Sequence, residues 1–318
     1  MISKITMNNQ NQIPKSWYGK RYYSLDAYCK TVYQEKLYKI AIDAGLTCPN
    51  RDGKLDTRGC IFCSAGGSGD FAVSGRTHST VSEQLEAGKA LFHGKPVGTG
   101  WIAYFQAYTN TYAPVETLRQ IFMPVINRDD IAVLSIATRP DCLSNEVLVL
   151  LDELNQIKPV WVELGLQTIH EKTADYIRRG YQLDVYDKAA CDLNAIGIHT
   201  ITHIILGLPE ETKEDMLASV RHVVLQKSKG IKLQLLHVLK NTDLAMDYQN
   251  GFFKTMEFEE YVDLVAECVK LLPPDMVVHR LTGDGPKSLL IAPLWSADKK
   301  RVLNALHKKM DSALGSKG

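Results

Sequence analysis

The chain has 318 residues, 45% of them hydrophobic and 23% charged, with a net charge of +1. That balance suits a globular fold and excludes recruitment to nucleic acid by overall charge alone. The polar start over 1–14 has no apolar signal core, and no apolar run is long enough to span a membrane. A cytoplasmic protein without a membrane partner is expected. Its seven unevenly spaced cysteines then read as ligands or buried thiols, since they form no disulfide framework. Basic clusters at Lys20-Arg21, Arg178-Arg179, Lys227/Lys229/Lys232 and Lys299-Lys300-Arg301 with Lys308-Lys309 read as solvated surface.

In chain order, Trp17, Tyr18, Lys20, Arg21, Tyr22 and Tyr23 come first and mix rings with cations. Such a stretch offers stacking surfaces for unpaired RNA bases, or an aromatic lid on the fold. Apolar, β-branched runs then predict strands at 38–42, 101–105, 131–137, 160–166, 200–206, 231–239 and 276–281. Helical patterns fall between them at 81–93, 114–126, 145–156, 174–178, 185–196, 213–227 and 257–272, with a basic last helix near 298–314. Ser144 is placed as an N-cap, and Gly197 and Gly230 as glycines that end helices.

Strand–helix alternation implies an α/β fold with a parallel sheet and helical crossovers. The expected architecture is a partial (β/α)6 barrel of the TIM type, with a short N-terminal extension and a C-terminal strand and helix added. The divisions expected are an aromatic and basic extension over 1–37, a core barrel over 38–244 and a C-terminal extension over 245–318. Function in such a barrel belongs at the C-terminal ends of the strands.

Polar motifs occur at those ends. Beyond the first strand, Cys48, Cys60 and Cys63 lie in CPNRDGKLDTRGCIFC. Three thiolates can close on a metal ion or on an iron–sulfur cluster. A closed zinc site needs a fourth ligand, for which His78 is a candidate. A [4Fe–4S] cluster held by three cysteines instead leaves one iron open. Phe62, between the last two cysteines, packs under the loop or stands beside a ligand. Cys29, Cys142, Cys191 and Cys268 have no such neighbours and read as buried free thiols.

The second strand runs out in FQAYTNTY, whose hydroxyl and amide groups suit an ammonium ion. The third ends in ATRPD and the fourth is VELGLQT. Glu163 inside that apolar strand is costly to bury unless it is paired or faces a cavity. Gln167, four residues on, shares its face. An ion pair with Arg139 is the plain alternative. The fifth strand ends in HIILGLPEET, where His203 is a core histidine or a ligand contact and Gly207 permits close backbone approach to a ligand.

In this order, the cysteine loop, TRPD, VELGLQT and GLPEET resemble the radical S-adenosylmethionine superfamily. The branch is that of the Elongator catalytic subunit and oxygen-independent coproporphyrinogen oxidase, and the size resembles a group of small bacterial Elongator-like proteins. The resemblance covers about 38–244. It implies a [4Fe–4S] cluster on Cys48, Cys60 and Cys63, with S-adenosyl-L-methionine at the open iron. It further implies Phe62 beside the adenine, Thr109 and Asn110 at the ammonium, Arg179 at the methionine carboxylate and His203 at the ribose. Gln167 matches a family glutamine. Two departures stand out. The first cysteine gap has eleven residues where three are usual, which gives Arg51, Lys54 and Arg58 an extra role. Ala137 stands where relatives often carry a Glu, so His203 or Glu163 takes up that ribose contact.

The resemblance also implies a 5′-deoxyadenosyl radical, with electrons from an external donor such as flavodoxin or ferredoxin. The Elongator subunit modifies carbon 5 of the tRNA wobble uridine with a fused acetyltransferase domain, and this chain ends short of one. The expected reaction trims an existing substituent, from carboxymethylaminomethyl to aminomethyl, with tRNA as partner. Two other classes stand beside it. One is a radical enzyme acting on a small molecule such as a porphyrin-pathway intermediate. The other is a non-catalytic zinc-binding RNA module.

Overall fold

The computed structural model describes residues 17–315 apart from 68, 71, 73–79, 95–97 and 284. His78, the candidate zinc ligand, and the start of the chain lie outside the described residues. Seven strands form one sheet: β1 (Tyr38–Ile42), β2 (Trp101–Phe105), β3 (Ile131–Thr138), β4 (Val160–Gln167), β5 (His199–Leu206), β6 (Gly230–Leu235) and β8 (Val277–Arg280). They lie side by side in that order and every pairing is parallel. β1 and β8 are its two edges, so the barrel is partial and a seam remains between them. The sheet is curled, because Lys39 on β1 reaches Glu163 on β4, and Lys232 on β6 reaches Tyr104 on β2.

The two-residue period of a strand sorts the side chains into an outer face and stacked inner layers. Outward, Ile40, Phe105, Ile136, Val162, Ile204 and Leu233 pack with the covering helices in one core. These helices are α2 (Val81–Ala90), α3 (Val115–Ile126), α4 (Asn145–Ile157), α6 (Leu183–Ala195) and α7 (Lys213–Leu225). Inward, the lowest layer is apolar: Leu37, Ile102, Val133, Trp161 and Ile201. Two residues further along the same strands stand Lys39, Tyr104, Ser135, Glu163 and His203, a polar layer. Two further again, Gln106, Ala137, Gly165 and Ile205 line a cavity.

The amino-terminal mouth is closed by residues 17–33. Ser24 caps α1 (Leu25–Val32) and bridges to Val278 of β8. Tyr28 meets the rings of Trp161 and His199 at 5.8 and 6.5 Å, while Trp17 stacks on Tyr23 at 4.0 Å. Tyr22 is buried beside His307, and Arg21 pairs with Asp311 at 2.7 Å. The aromatic–basic stretch is therefore a lid on the end of the barrel opposite the cysteines. The rings of Trp17, Tyr22 and Tyr23 are used in packing, while Tyr18 is 63% exposed.

Other differences from the sequence reading have local causes. Helix α1 and α8 (Asp243–Gln249) were not expected. The helix expected at 174–178 lies earlier, as α5 (Glu171–Tyr176). Gly230 opens β6 instead of ending a helix: a Cβ there would lie 2.8 Å from the His279 ring. Lys227, with φ +57°, takes the left-handed position after α7. Gly197 does end α6, with φ +72°, and Ser144 does cap α4. The run 231–239 breaks after Leu235, and β7 (Val238–Leu239) pairs antiparallel with β9 (Leu290–Ala292). At the break His237 lies under the loop after β8, where a Cβ on Gly283 would come within 2.6 Å of its ring. Helix α9 (Phe258–Leu271) and α10 (Lys299–Gly315) follow, and α10 buries Val302, Leu306 and Met310 in the main core. No helix among the described residues is long and apolar enough to cross a membrane.

Candidate functional site

The loop after β1 is folded on itself. Cys48 O accepts from Arg51 N at 2.8 Å, and Gly59 N donates to Asn50 O at 2.7 Å. Buried Asn50 donates to Arg178 O at 2.7 Å and to Cys60 Sγ at 3.4 Å. Arg51 Nη2 donates to Cys63 O and Ser64 O at 3.0 and 2.7 Å. A Cβ on Gly59 would stand 2.9 Å from Arg51 Nε, so the glycine, with φ +79°, gives the guanidinium its passage. The long gap between Cys48 and Cys60 is thus a brace that ties both ends of the cysteine loop together. Arg58 reaches Asp243 on α8 at 3.8 Å, and Lys54 stands over the Tyr112 ring at 5.2 Å.

Cys48, Cys60, Cys63 and Phe62 line one cavity of about 240 Å³ at the C-terminal ends of the strands. Among the described residues, no three His, Cys, Asp or Glu side chains stand close enough to share one ion. One tetrahedral zinc would hold its thiolates roughly 3.8 Å apart, whereas the cysteines of a cubane bind separate irons. Burial, with Cys63 nearby, pushes the Cys60 thiol up to about 12, so its thiolate needs a strong positive partner. Of the other cysteines, Cys29 and Cys268 are buried as expected. Cys191 is exposed and Cys142 half-buried, each lying where its helix or turn meets solvent.

Thr109, Glu163, Gln167, Arg179 and His203 line the same cavity, and Asn110 does not. Asn110 is fully buried, and its amide donates to Phe105 O, Ala107 O and Ala137 O at 3.1, 3.1 and 3.0 Å. It joins the ends of β2 and β3 and carries Thr109 to the cavity wall. Gln167 ends β4 with φ +68°, just past a register shift against β5. Its amide lies over Gly165, where a Cβ would meet Nε2 at 2.7 Å, and its Oε1 is buried without a partner.

Arg179 is 2% exposed. It donates to Tyr181 O at 2.9 Å and Thr168 O at 2.6 Å, and it pairs with Glu171 at 3.1 Å. It holds the turn that presents Gln167. Arg139 forms a bidentate pair with Asp141 at 2.9 and 2.8 Å, so it is not the partner of Glu163. The room at Gly207 goes to Met256, 2.9 Å from a Cβ placed there, so that glycine serves packing and does not line the cavity.

Glu163 is 1% exposed and sits at the centre of the polar layer. It accepts from Lys39 Nζ at 2.5 Å and Ser135 Oγ at 2.9 Å, faces His203 Nε2 at 2.8 Å, and pairs with Lys232. Lys232 also donates to Tyr104 OH at 3.0 Å. Burial would raise the Glu163 carboxyl, but Lys232 and Lys39 override it and hold the carboxyl well below its usual range. Burial and the neighbouring Lys232 push His203 down to about 4, against the pull of Glu163. Burial lowers Lys232 to about 7, Glu163 opposing and Lys39 and Arg280 adding to the fall. Ala137 lies beside Glu163 in the register of β3 and β4, and its small side chain keeps this carboxylate in contact with the cavity.

Lys39, Tyr104, Ser135, Lys232 and Arg280 were missed by the sequence reading, whereas Gln106 lies in the FQAYTNTY strand end that it singled out. Lys232 had been grouped with Lys227 and Lys229 as surface, yet it is 4% exposed. The available signal was the one used for Glu163, a charge inside an apolar strand: YKIAI and GIKLQL each contain one.

A strand-built cavity ringed by three cysteines defines a class, and sequence comparison names it. The Radical SAM superfamily profile matches residues 57–223, and the Radical SAM C-terminal domain matches 228–312. The chain belongs to the radical SAM superfamily. It is 44% identical to Bacillus subtilis YtqA over 306 residues, spanning 96% of this chain and 94% of that protein. Escherichia coli K12 YhcC is 35% identical over 291 residues, spanning 89% and 92%. Elongator complex protein 3 of Schizosaccharomyces pombe is 23% identical over 345 residues, spanning 92% of this chain and 61% of that protein. Among solved structures, Elp3 of the archaeon Methanocaldococcus infernus aligns with a TM-score of 0.63 at 17% identity, covering 86% of this chain and 63% of that one. The last likeness shows a shared fold.

Membership implies a [4Fe–4S] cluster and S-adenosyl-L-methionine, and the residues fit both. Three thiols share the cavity, the Gln167 Oε1 acceptor has no partner, and the small side chain of Ala137 stands in the cavity wall beside Glu163. Cys48, Cys60 and Cys63 would hold the cluster, with Phe62, Thr109 and Gln167 facing the nucleoside and amino-acid portions of the cofactor. When bound, the pair supplies a 5′-deoxyadenosyl radical able to take hydrogen from an unactivated carbon. The chain's own part is to orient the reactants and keep the space dry.

Proposed function

We propose that this radical SAM enzyme acts on tRNA. Its substrate is the wobble uridine carrying carboxymethylaminomethyl at carbon 5. The carboxymethyl methylene would lose a hydrogen atom to the 5′-deoxyadenosyl radical and one electron back to the cluster. Water would then cleave the resulting imine, so that the uridine keeps aminomethyl and the two carbons leave as glyoxylate. The carrying observation is the similarity to Elongator complex protein 3 across 92% of this chain. Two further relatives, from Methanocaldococcus jannaschii and Dehalococcoides mccartyi, bear the name tRNA uridine(34) acetyltransferase, at 24% and 27% identity over about half of this chain. The cavity lies at the open end of the barrel, where a base extruded from the anticodon loop can enter. Unstacking one loop base costs only a few kcal/mol. Carbon 5 and its substituent would then face the cysteine-lined space. Electrons come from an external donor of the flavodoxin or ferredoxin class.

The direct test is a single-turnover assay with the cluster reconstituted. S-adenosylmethionine, reductant and tRNA bearing the carboxymethylaminomethyl group should yield 5′-deoxyadenosine and aminomethyluridine in matching amounts. Cofactor cleavage with no change in the nucleoside would reject the substrate and favour a small molecule in its place.

A further inference from the structure

Lys232 stands where two cavities meet. Its side chain lines the cysteine cavity and also a second space, of about 300 Å³, which opens at the seam between β1 and β8. Among the described residues it is the one lysine that lines the cysteine cavity, whereas Lys39 lines the second space alone. The residue is 4% exposed. The titratable and charged groups that face it come from five strands: Lys39 of β1, Tyr104 of β2, Glu163 of β4, His203 of β5 and Arg280 of β8.

Two lysines share one carboxylate here, Lys39 on Glu163 Oε1 and Lys232 on Oε2. A desolvated lysine beside a second cation gives up its proton readily, and this is how proteins make an amine nucleophilic near neutral pH. The fall of Lys232 to about 7 agrees with that arrangement. Tyr104 OH lies 3.0 Å from Nζ and keeps its own proton, because burial and Glu163 raise its phenol well above the ordinary value. A phenol there can accept from the ammonium and donate to the neutral amine.

We propose that Lys232 is a covalent catalytic residue, whose amine attacks the imine carbon made on the substrate and carries the two-carbon acid as a Schiff base until water frees it. Hydrolysis of the imine then runs in two parts. The Lys232 nitrogen bonds to the imine carbon, and its proton passes to the substrate nitrogen. The bond between that carbon and the substrate nitrogen breaks, and aminomethyluridine leaves with the electron pair. Water from the seam side adds to the lysine-bound carbon, the carbon–lysine bond breaks, and glyoxylate and the lysine are released. These steps exchange no electrons with the cluster. The imine itself rests on the wobble-uridine reading, whereas the reactivity of Lys232 toward an aldehyde acid does not.

The test uses the full chain with its cluster reconstituted and locates modified lysines by peptide mass spectrometry after reduction with cyanoborohydride. Glyoxylate alone, near neutral pH, should leave a carboxymethyl group on Lys232 in roughly tenfold or greater excess over any other lysine, since surface amines stay protonated until about pH 10. Lys232→Arg keeps a cation beside Glu163 and should gain no mark at Lys39. If that variant fails to fold, the wild-type peptide map decides alone. In turnover with S-adenosylmethionine, reductant and tRNA bearing carboxymethylaminomethyl, the same mark should appear on Lys232 and should require S-adenosylmethionine. Lys232 marked by glyoxylate, with no aminomethyluridine formed in turnover, supports the reactive amine and removes only the wobble-uridine identity. Glyoxylate spread evenly over the surface lysines would overturn the proposal, as would aminomethyluridine formed in turnover with Lys232 unmarked.

Discussion

The cysteine loop and the polar layer face one cavity, yet they are assembled in opposite ways. Cys48, Cys60 and Cys63 come from a single loop, with Asn50 and Arg51 of the same loop as braces. Lys39, Tyr104, Ser135, Glu163, His203 and Lys232 come from six strands, and 193 residues separate the first from the last. Parallel pairing sets Tyr104 level with Ser135 and His203 level with Lys232, whereas Glu163 pairs in register with Ala137 and Ile201 and meets Ser135 and His203 because the strands tilt across the barrel. A loop site can be changed with little effect on the fold. A site built into the barrel layers cannot, because its charges are also part of the core.

That contrast can be broken by substitution, the largest effect first. Cys48→Ala, Cys60→Ala or Cys63→Ala should abolish a cluster that wild type holds at about four irons and four sulfides per chain. Cys191→Ala, on the exposed side of α6, should leave the iron content intact. These loop variants should remain folded by circular dichroism. Iron retained in full by Cys48→Ala would remove that residue from the ligand set.

Glu163→Ala should act on the fold. It leaves Lys39 and Lys232 side by side in the interior without their carboxylate. Breaking a buried pair of this kind costs about 3–5 kcal/mol, readable as a shift of the denaturant midpoint. A loss below about 1 kcal/mol, the scale of an exposed pair, would mean that the layer is wetter than its burial implies.

A smaller effect is expected at the join between the two regions. Gln167→Ala removes the unpartnered Oε1 and should weaken S-adenosylmethionine binding by roughly tenfold, with the cluster retained. Arg179→Ala should lower both binding and stability, because its guanidinium holds the turn through Thr168 O and Tyr181 O. Unchanged affinity in Gln167→Ala would place the cofactor elsewhere in the cavity.

The smallest effect is on the pH profile. His203 in the folded protein is pushed down to about 4 from an ordinary 6.5. Between those values the unfolded chain binds a proton that the native one refuses. Stability should therefore fall as pH drops from 6.5 toward 4, and His279, also held well below 6.5, adds in the same direction. The slope should be shallower in His203→Gln. Glu163 does not offset it, because Lys232 and Lys39 keep its carboxyl ionised well below the usual range. Identical slopes in wild type and variant would show that His203 takes up its proton in the folded protein.

Legibility followed the same division. Seven apolar runs were enough to place the seven sheet strands, because each is buried on the outer face and sealed by a layer within. The cysteine loop was legible because its ligands are contiguous. The polar layer was legible only at Glu163 and His203. Lys39 and Lys232 interrupt apolar strands in the same way as Glu163, but a lysine near other lysines reads as surface, and pairing across the barrel cannot be seen in one strand. Short elements were lost for want of period: α8 has seven residues and β7 two. The 17–23 stretch reads as an RNA-stacking surface or as a lid; Tyr22 and Tyr23 pack as a lid, and Tyr18 remains exposed.

The central claim, a radical enzyme that trims the wobble-uridine substituent, is tested most directly by mass spectrometry of tRNA nucleosides. The comparison is among cells that lack the protein, cells complemented with wild type, and cells complemented with Cys60→Ala, in a background without a redundant pathway. Loss of the protein should raise 5-carboxymethylaminomethyluridine and lower 5-aminomethyluridine together with its methylated product. Wild type should restore the profile, and Cys60→Ala should not. An identical nucleoside profile in all three strains would contradict the account.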